Sequence, residues 1–206
     1  MTPNLPIYRL ALNDDPDSGV DYIALVDDPA IQRQFMAFKS QSPPKLQFLA
    51  TNPDQQIVSG PLMVADMCIF RDDPIHGEHL VYFDAQTIRQ IILRFFQKGL
   101  TSNINLMHLP DAKPDGIYMF ESFIIDSSKG ITTPKGFEFL PDGSWFGSFK
   151  IDNTDVWNHF IKTGEFKGFS VEGFFSYQPE ISKEEMSEGI AMRQVSEIMN
   201  LIENVA

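Results

Sequence analysis

Short runs of apolar residues, alternating or continuous, dominate the chain and predict a mostly β structure. The runs are rich in Val, Ile, Leu, Tyr and Phe and lie between clusters of Asn, Asp, Pro and Gly, which commonly delimit strands. They cover residues 8–12, 22–26, 34–38, 45–49, 57–64, 67–70, 79–83, 103–108, 116–125, 145–150 and 169–177. The runs at 34–38 and 45–49 flank a Pro-Pro turn, so we predict that they pair as a hairpin.

A different period, with apolar residues three and four positions apart, predicts three helices. The first is capped by Asp84 and stops at Gly99. A shorter one is capped by Thr154 and ends near residue 164. In the tail, Ser182 and Glu185 form a Ser-x-x-Glu capping box ahead of a third, amphipathic helix.

Many short strands with few helices predict an α+β fold. We expect a mostly antiparallel β-barrel or bent sheet with helices packed outside it. Residues 1–179 form the main domain in this interpretation, and residues 180–206 form an acidic, amphipathic helical tail. The pattern leaves open whether the tail docks on the domain, pairs with a partner helix or is removed.

Composition narrows the class of protein. The chain has 206 residues, of which 43% are hydrophobic, as expected of a folded domain. Sixteen basic against 28 acidic residues give a net charge of −12, which disfavours binding to nucleic acid or to an anionic membrane surface. A single cysteine, Cys68, rules out an internal disulfide and a cysteine-based zinc cage. With neither a signal peptide nor a transmembrane run visible, we expect a soluble cytoplasmic protein.

Four histidines can be weighed one by one. His76 and His79 are three residues apart in a segment with Pro74 and Gly77, so they do not match the four-residue spacing of a helical zinc pair. We interpret that segment as a solvated polar loop, and a metal hydrolase as a distant alternative. His159 is expected on the exposed side of the short helix. His108 ends the strand at 103–108, at the rim of a sheet, where a catalytic base would have rigid support. On this residue alone, a structural histidine remains the alternative.

Ser170 lies in a strand with glycines close by on both sides. If 169–174 is extended, Ser170 and Glu172 face the same side. Glycine two residues before and three residues after the serine lets backbone approach a ligand closely. A serine nucleophile needs a base within hydrogen-bond reach, and the segment is not a Gly-x-Ser-x-Gly elbow. On these residues alone, an ordinary strand serine remains the alternative.

Several segments in a fixed order carry a family resemblance. They are ALVDDPAI at 24–31, FMAF at 35–38, VSGPLM at 58–63, NINLMH at 103–108, FESFIID at 120–126, PDGSWFG at 141–147 and FKGFSVEG at 166–173. Together they make the chain resemble the phage prohead (capsid maturation) serine proteases of the XkdF type. That group is distantly similar in fold to herpesvirus assemblins.

The resemblance implies a serine endopeptidase in which Ser170 is the nucleophile and His108 the general base. A third group should orient the imidazole. Glu121 is the first choice, because its strand follows the His108 strand after a short loop and could pair with it, and Glu172 is the alternative. No cofactor and no metal are expected.

The resemblance also implies partners and a location. The substrates would be the phage scaffold protein and the major capsid protein, cleaved inside the immature capsid in the host cytoplasm, and the protease could form a homo-oligomer. Self-cleavage after Glu180 or Glu203 would trim the tail. The alternative from another class is a catalytically idle head-assembly or scaffold-binding protein with the same fold.

Overall fold

The computed structural model describes residues 5–27, 29, 47, 49–181, 185–192 and 195. The strands are β1 (Ile7–Ala11), β2 (Gly19–Val26), β3 (Leu49–Asn52), β4 (Ile57–Met63), β5 (Ile69–Asp73), β6 (Gly77–Tyr82), β7 (Ile104–Leu106), β8 (Ile117–Ile124), β9 (Trp145–Ile151), β10 (Gly168–Phe174) and β11 (Ser176–Ile181). The helices are α1 (Ala85–Gln97), α2 (Thr154–Val156) and α3 (residues 185–192). A π-helical turn, Trp157–Ile161, continues α2.

The strands form three sheets with mixed or antiparallel pairing. Sheet order is β11-β1-β6-β5 in the first, β10-β2-β7 in the second and β3-β4-β9-β8 in the third. In the second sheet β2 pairs antiparallel with β10 and parallel with β7. The chain passes directly from β10 to β11, so the second sheet leads into the edge of the first.

Helix α1 forms where the sequence predicts it and closes the main core. The Asp84 side chain accepts a hydrogen bond from the Thr87 amide at 2.7 Å, which satisfies one of the free N–H groups at the helix start. After the helix, Gly99 adopts a left-handed φ of 70°. The buried face of α1 packs against β2 and β9, with Phe95 in edge contact with Trp145. The neighbouring Phe96 is 44% exposed.

The second and third helices are short. Asn153, not Thr154, caps α2, because its side chain accepts the Val156 amide at 2.9 Å. On α3, Met186 is 9% exposed and packs with Ile7, Leu80 and Tyr82 of the first sheet. The described part of the tail therefore lies against the domain. Ser182 of the predicted capping box and the predicted strand at 34–38 lie outside the described residues.

The α+β expectation is confirmed, with three sheets and three helices among the described residues. The barrel alternative is wrong for this part of the chain, because its sheets have distinct edges and do not close. Phe175 interrupts the run predicted at 169–177, so β10 and β11 belong to different sheets. None of the described helices is long and apolar enough to cross a bilayer.

Candidate active site

The second sheet aligns Ser170 with two other residues across its three strands. Ser170 pairs with Ala24, and Ala24 pairs with Asn105, so the three side chains face the same side of the sheet. Adjacent strands lie about 4.8 Å apart, which puts the Cα atoms of Ser170 and Asn105 about 10 Å apart. Between them Ala24 presents only a methyl group.

His108 lies in a strained turn directly after β7, not in the strand itself. Met107 and His108 have φ angles of 54° and 59°, and the Leu109 amide donates to the Leu106 carbonyl at 3.0 Å. Two consecutive left-handed residues closed by this hydrogen bond are typical of a type I′ turn, which favours Gly, Asn or Asp. Each non-glycine residue in such a conformation costs on the order of 1 kcal/mol, and such strain concentrates at functional sites.

The turn brings the His108 imidazole to Glu172 on β10. His108 Nδ1 lies 3.0 Å from Glu172 Oε2, and the two side chains are 40% and 43% exposed. An ionised carboxylate can only accept, so Nδ1 carries the proton and Nε2 keeps a lone pair. That is the tautomer required of a general base.

Asn105 is a member of this cluster that the sequence analysis did not identify. Its Nδ2 donates to the same Glu172 oxygen at 3.3 Å. Asn105 is 1% exposed, and its Oδ1 is buried without a hydrogen-bond partner in the described structure. An unsatisfied buried acceptor destabilises the folded state by about 1–3 kcal/mol. Asn105 therefore lowers stability while its amide group holds the Glu172 carboxylate in place. The only signal in the sequence was an asparagine at an inward position of an alternating strand.

Ser170 lies beside the pair but does not contact the imidazole. It is 8% exposed, and the hydrogen bond found for the His108 imidazole within the described residues is to Glu172, not to Ser170. Ser170 and Glu172 are two positions apart in β10 and so lie on the same face of the strand.

A cavity of about 390 Å³ opens at Ser170. Its wall contains apolar side chains together with Arg71, Glu172 and Tyr177. Burial raises the pKa of the Tyr177 hydroxyl, and the nearby Asp73 charge adds to this, so the hydroxyl stays protonated at neutral pH. A mainly apolar cavity with a few polar groups is the usual form of a binding pocket.

Glu121, the first choice for the third group, lies in another sheet. The pairing on which that choice depended is wrong: β8 pairs with β9, and β7 pairs with β2. Glu121 accepts a hydrogen bond from the Ser148 hydroxyl at 2.5 Å, while the imidazole of His108 contacts Glu172, the alternative.

The remaining histidines differ from one another. His159 is exposed, as predicted, with Nδ1 3.0 Å from the Asp155 carbonyl oxygen. The solvated-loop interpretation is wrong for His79, which is fully buried, and the side chain of His76 is only 24% exposed. The reason is that β5 and β6 form a hairpin, whose geometry brings residues together at spacings other than the helical one.

The comparisons with known proteins bear on this site. A family model described as "Putative phage serine protease XkdF" matches residues 45–178, which include all four residues Asn105, His108, Ser170 and Glu172. No curated protein and no solved structure matches the chain significantly. The family match covers well over half of the chain, and on that ground the chain belongs to the XkdF family of phage serine proteases.

Proposed function

We propose that this protein is a prohead serine endopeptidase that cleaves scaffold and capsid-protein precursor segments inside the immature capsid of the infected host cell. Ser170 is the nucleophile, His108 the general base and Glu172 the group that orients the imidazole. The observation that carries the proposal is the 3.0 Å contact between His108 Nδ1 and Glu172, on the sheet face that also presents Ser170.

In the proposed mechanism, His108 Nε2 removes the proton from Ser170 Oγ as the oxygen attacks the scissile carbonyl carbon. The carboxylate of Glu172 stabilises the imidazolium, which then donates its proton to the leaving amine. A water molecule, activated by the same nitrogen, hydrolyses the acyl-enzyme. Proton transfer requires Nε2 and Oγ within about 3.2 Å, and catalytic hydrogen bonds commonly tighten only when substrate binds. The imidazole, 40% exposed, has room for that movement.

A second candidate function is a head-assembly protein with an idle site. It is favoured by one observation: Ser170 is 8% exposed and makes no hydrogen bond to His108 in the described structure. The two functions differ in what the loss of the serine hydroxyl does.

Co-expression with the phage's own capsid and scaffold proteins separates them. Ser170→Ala should abolish cleavage of the capsid protein, measured by mass spectrometry, while proheads still assemble. Ser128→Ala is the matched control, since Ser128 is exposed and hydrogen-bonded to Asp126, away from the site. Cleavage that continues with Ser170→Ala, or that never occurs with the intact serine, would establish the assembly function instead.

A further inference from the structure

A second cluster of polar side chains lies on the β5–β6 hairpin, outside the Ser170 constellation. One ligand atom each from Asp73, His76 and His79 lies within 4.8 Å of the other two. We propose that these three side chains form a binding site for a divalent transition metal ion, of which Zn²⁺ is the best fit.

The hairpin register explains how the three residues converge. His79 pairs across the hairpin with Arg71, and Asp73 is two residues further along the strand, so Asp73 and His79 lie on one face. His76 is in the turn, one residue before Gly77, which has a left-handed φ of 63°. The site is therefore contained in seven consecutive residues and forms whenever the hairpin forms.

Two of the three ligands, His79 and Asp73, are oriented by contacts outside the ligand set. His79 Nδ1 lies 2.7 Å from the Gly77 carbonyl oxygen, which can only accept, so Nδ1 carries the proton and Nε2 has the lone pair. A backbone carbonyl on the second ring nitrogen is a common partner of metal-ligating histidines. Asp73 Oδ1 accepts the amides of Ile75 and His76, both at 2.8 Å, which leaves Oδ2 for a ligand.

The distances suit tetrahedral coordination. Asp73 Oδ2 is 3.2 Å from His76 Nδ1 and 3.7 Å from His79 Nε2. With metal–ligand bonds of roughly 2.0–2.1 Å, the edge of a coordination tetrahedron is about 3.3 Å, which is close to both distances. The third pair of ligand atoms, on the two imidazoles, lies within 4.8 Å and would close around the ion. Two imidazoles and one carboxylate suit Zn²⁺, whereas Mg²⁺ and Ca²⁺ prefer oxygen ligands alone.

Tyr177 links the site to the rest of the molecule. Its hydroxyl is 3.1 Å from His79 Nε2, the lone-pair nitrogen, and its ring stacks on His76 at 4.3 Å between centroids. Metal binding would replace the hydroxyl at Nε2 and leave the stacking in place. Because Tyr177 and Arg71 also line the cavity at Ser170, the ion would stabilise one wall of that cavity.

The test uses the full chain, purified without a polyhistidine tag and freed of metal with a chelator. Zn²⁺ is titrated by calorimetry, and Co²⁺ by its visible absorption, which reports tetrahedral coordination. We expect saturable binding of one ion per chain and a rise in Tm with one equivalent of Zn²⁺.

His76→Phe keeps the ring that stacks on Tyr177 and removes the ligating nitrogen. It should weaken Zn²⁺ binding by at least about 100-fold, which exceeds the loss of most outer-shell partners. Its matched control is His159→Phe, an exposed histidine far along the chain, which should bind as the parent protein does. If His76→Phe does not fold, Asp73→Asn decides, because the amide oxygen can still accept the two turn amides. The proposal would be overturned if the parent protein showed no saturable Zn²⁺ binding. It would also be overturned if His76→Phe and Asp73→Asn both bound Zn²⁺ as tightly as the parent does.

Discussion

The strained backbone at His108 supports its proposed role as the general base. Only a few per cent of non-glycine residues adopt the left-handed conformation, yet the consecutive residues Met107 and His108 both do. The Met107 amide donates a hydrogen bond to the Leu25 carbonyl at 3.0 Å. Together with the hydrogen bond that closes the turn, it maintains the conformation. The result is an imidazole that leaves the edge of the sheet and returns to contact Glu172. A fully extended strand would have carried His108 away from Glu172, which pairs with Tyr22 of β2.

Single substitutions can distinguish Glu172 from Glu121 as the group that orients the His108 imidazole. Glu172→Gln keeps an acceptor for His108 Nδ1 but removes the charge that stabilises the imidazolium. We expect the rate of Ser170 labelling by a fluorophosphonate probe to fall roughly 10²–10⁴-fold, the range of general acid–base catalysis. The measurement is the labelling rate followed by mass spectrometry of the intact chain, and it needs no knowledge of the substrate.

Glu121→Gln is the matched control for that variant. Its amide oxygen can still accept the Ser148 hydroxyl, and it lies in another sheet, so labelling should change less than about threefold. A large loss with Glu121→Gln and none with Glu172→Gln would return the third role to Glu121.

Asn105 gives a second prediction at the residue scale. Asn105→Ala removes the amide that binds Glu172 and also the unsatisfied Oδ1 acceptor. The labelling rate should fall about tenfold. The free energy of unfolding should change by less than about 1 kcal/mol, because losing the hydrogen bond destabilises the protein while removing the unsatisfied acceptor stabilises it. Urea denaturation measures the second quantity. An unfolding free energy that drops by several kcal/mol would show that Asn105 is a structural residue only.

Among the elements, α1 depends on its cap. Burial alone would raise the pKa of the Asp84 carboxyl, but the Arg9 guanidinium at 2.7 Å and the Thr87 amide outweigh it and bring the pKa below its ordinary value of 3.8. A lowered folded-state pKa contributes stability at pH values above the ordinary pKa, and that stability is lost as the pH falls through the folded-state value.

Asp84→Ala should therefore lower the free energy of unfolding at pH 7 by about 1–2 kcal/mol. The difference between parent and variant should shrink as the pH falls below about 4, because the carboxyl of the unfolded parent is protonated first and that of the folded parent only at its lower pKa. Urea denaturation at several pH values measures both effects. Asp14→Ala, an exposed aspartate, is the control and should show neither. A difference that grows as the pH falls would contradict the assignment.

Strand β10 depends on a bulge at Gly173. The register with β2 shifts between Glu172 and Gly173, and a Cβ built on Gly173 would lie 1.8 Å from the Gly19 carbonyl oxygen. The close approach of the two backbones explains why only glycine fits there. The bulge sets where Glu172 points at the end of the strand.

Gly173→Ala should destabilise the protein by about 1–3 kcal/mol and should slow Ser170 labelling, because the backbone must move beside Glu172. Gly189→Ala is the matched control, since Gly189 lies in α3 with open space around it. There alanine should be neutral or stabilising by up to about 1 kcal/mol. Equal behaviour of the two variants in urea would show that β10 tolerates a side chain at the bulge.

What the sequence could predict follows the range of the interactions involved. Helix α1 was predictable because its cap, its apolar period and its stop at Gly99 all lie within sixteen residues. Strand pairing was not, because β10 pairs with β2 from about 145 residues away and no local pattern encodes that partner. The mistaken pairing of the His108 strand with β8 led to Glu121. The hairpin cluster at Asp73 was missed because the spacing was compared only with helical metal sites.

At the scale of the whole molecule, the tail relates the fold to the proposed maturation function. Helix α3 packs through Met186 on the first sheet, and β11 is the edge strand that precedes it. Tyr8 of β1 pairs with Glu180 of β11, so the peptide bond after Glu180 lies in a hydrogen-bonded strand. A protease needs its substrate extended and unpaired, and β11 must leave the sheet edge before that bond can be cleaved.

The need to detach β11 first predicts the order in which the two cleavage products appear. If the proposed protease trims itself, the product ending at Glu203 should accumulate before any product ending at Glu180, and Ser170→Ala should abolish both. Intact-mass analysis of protein from proheads at successive stages of expansion measures the order. An untrimmed chain in mature capsids would end the hypothesis, and a Glu180 product that appears first would show that β11 detaches readily.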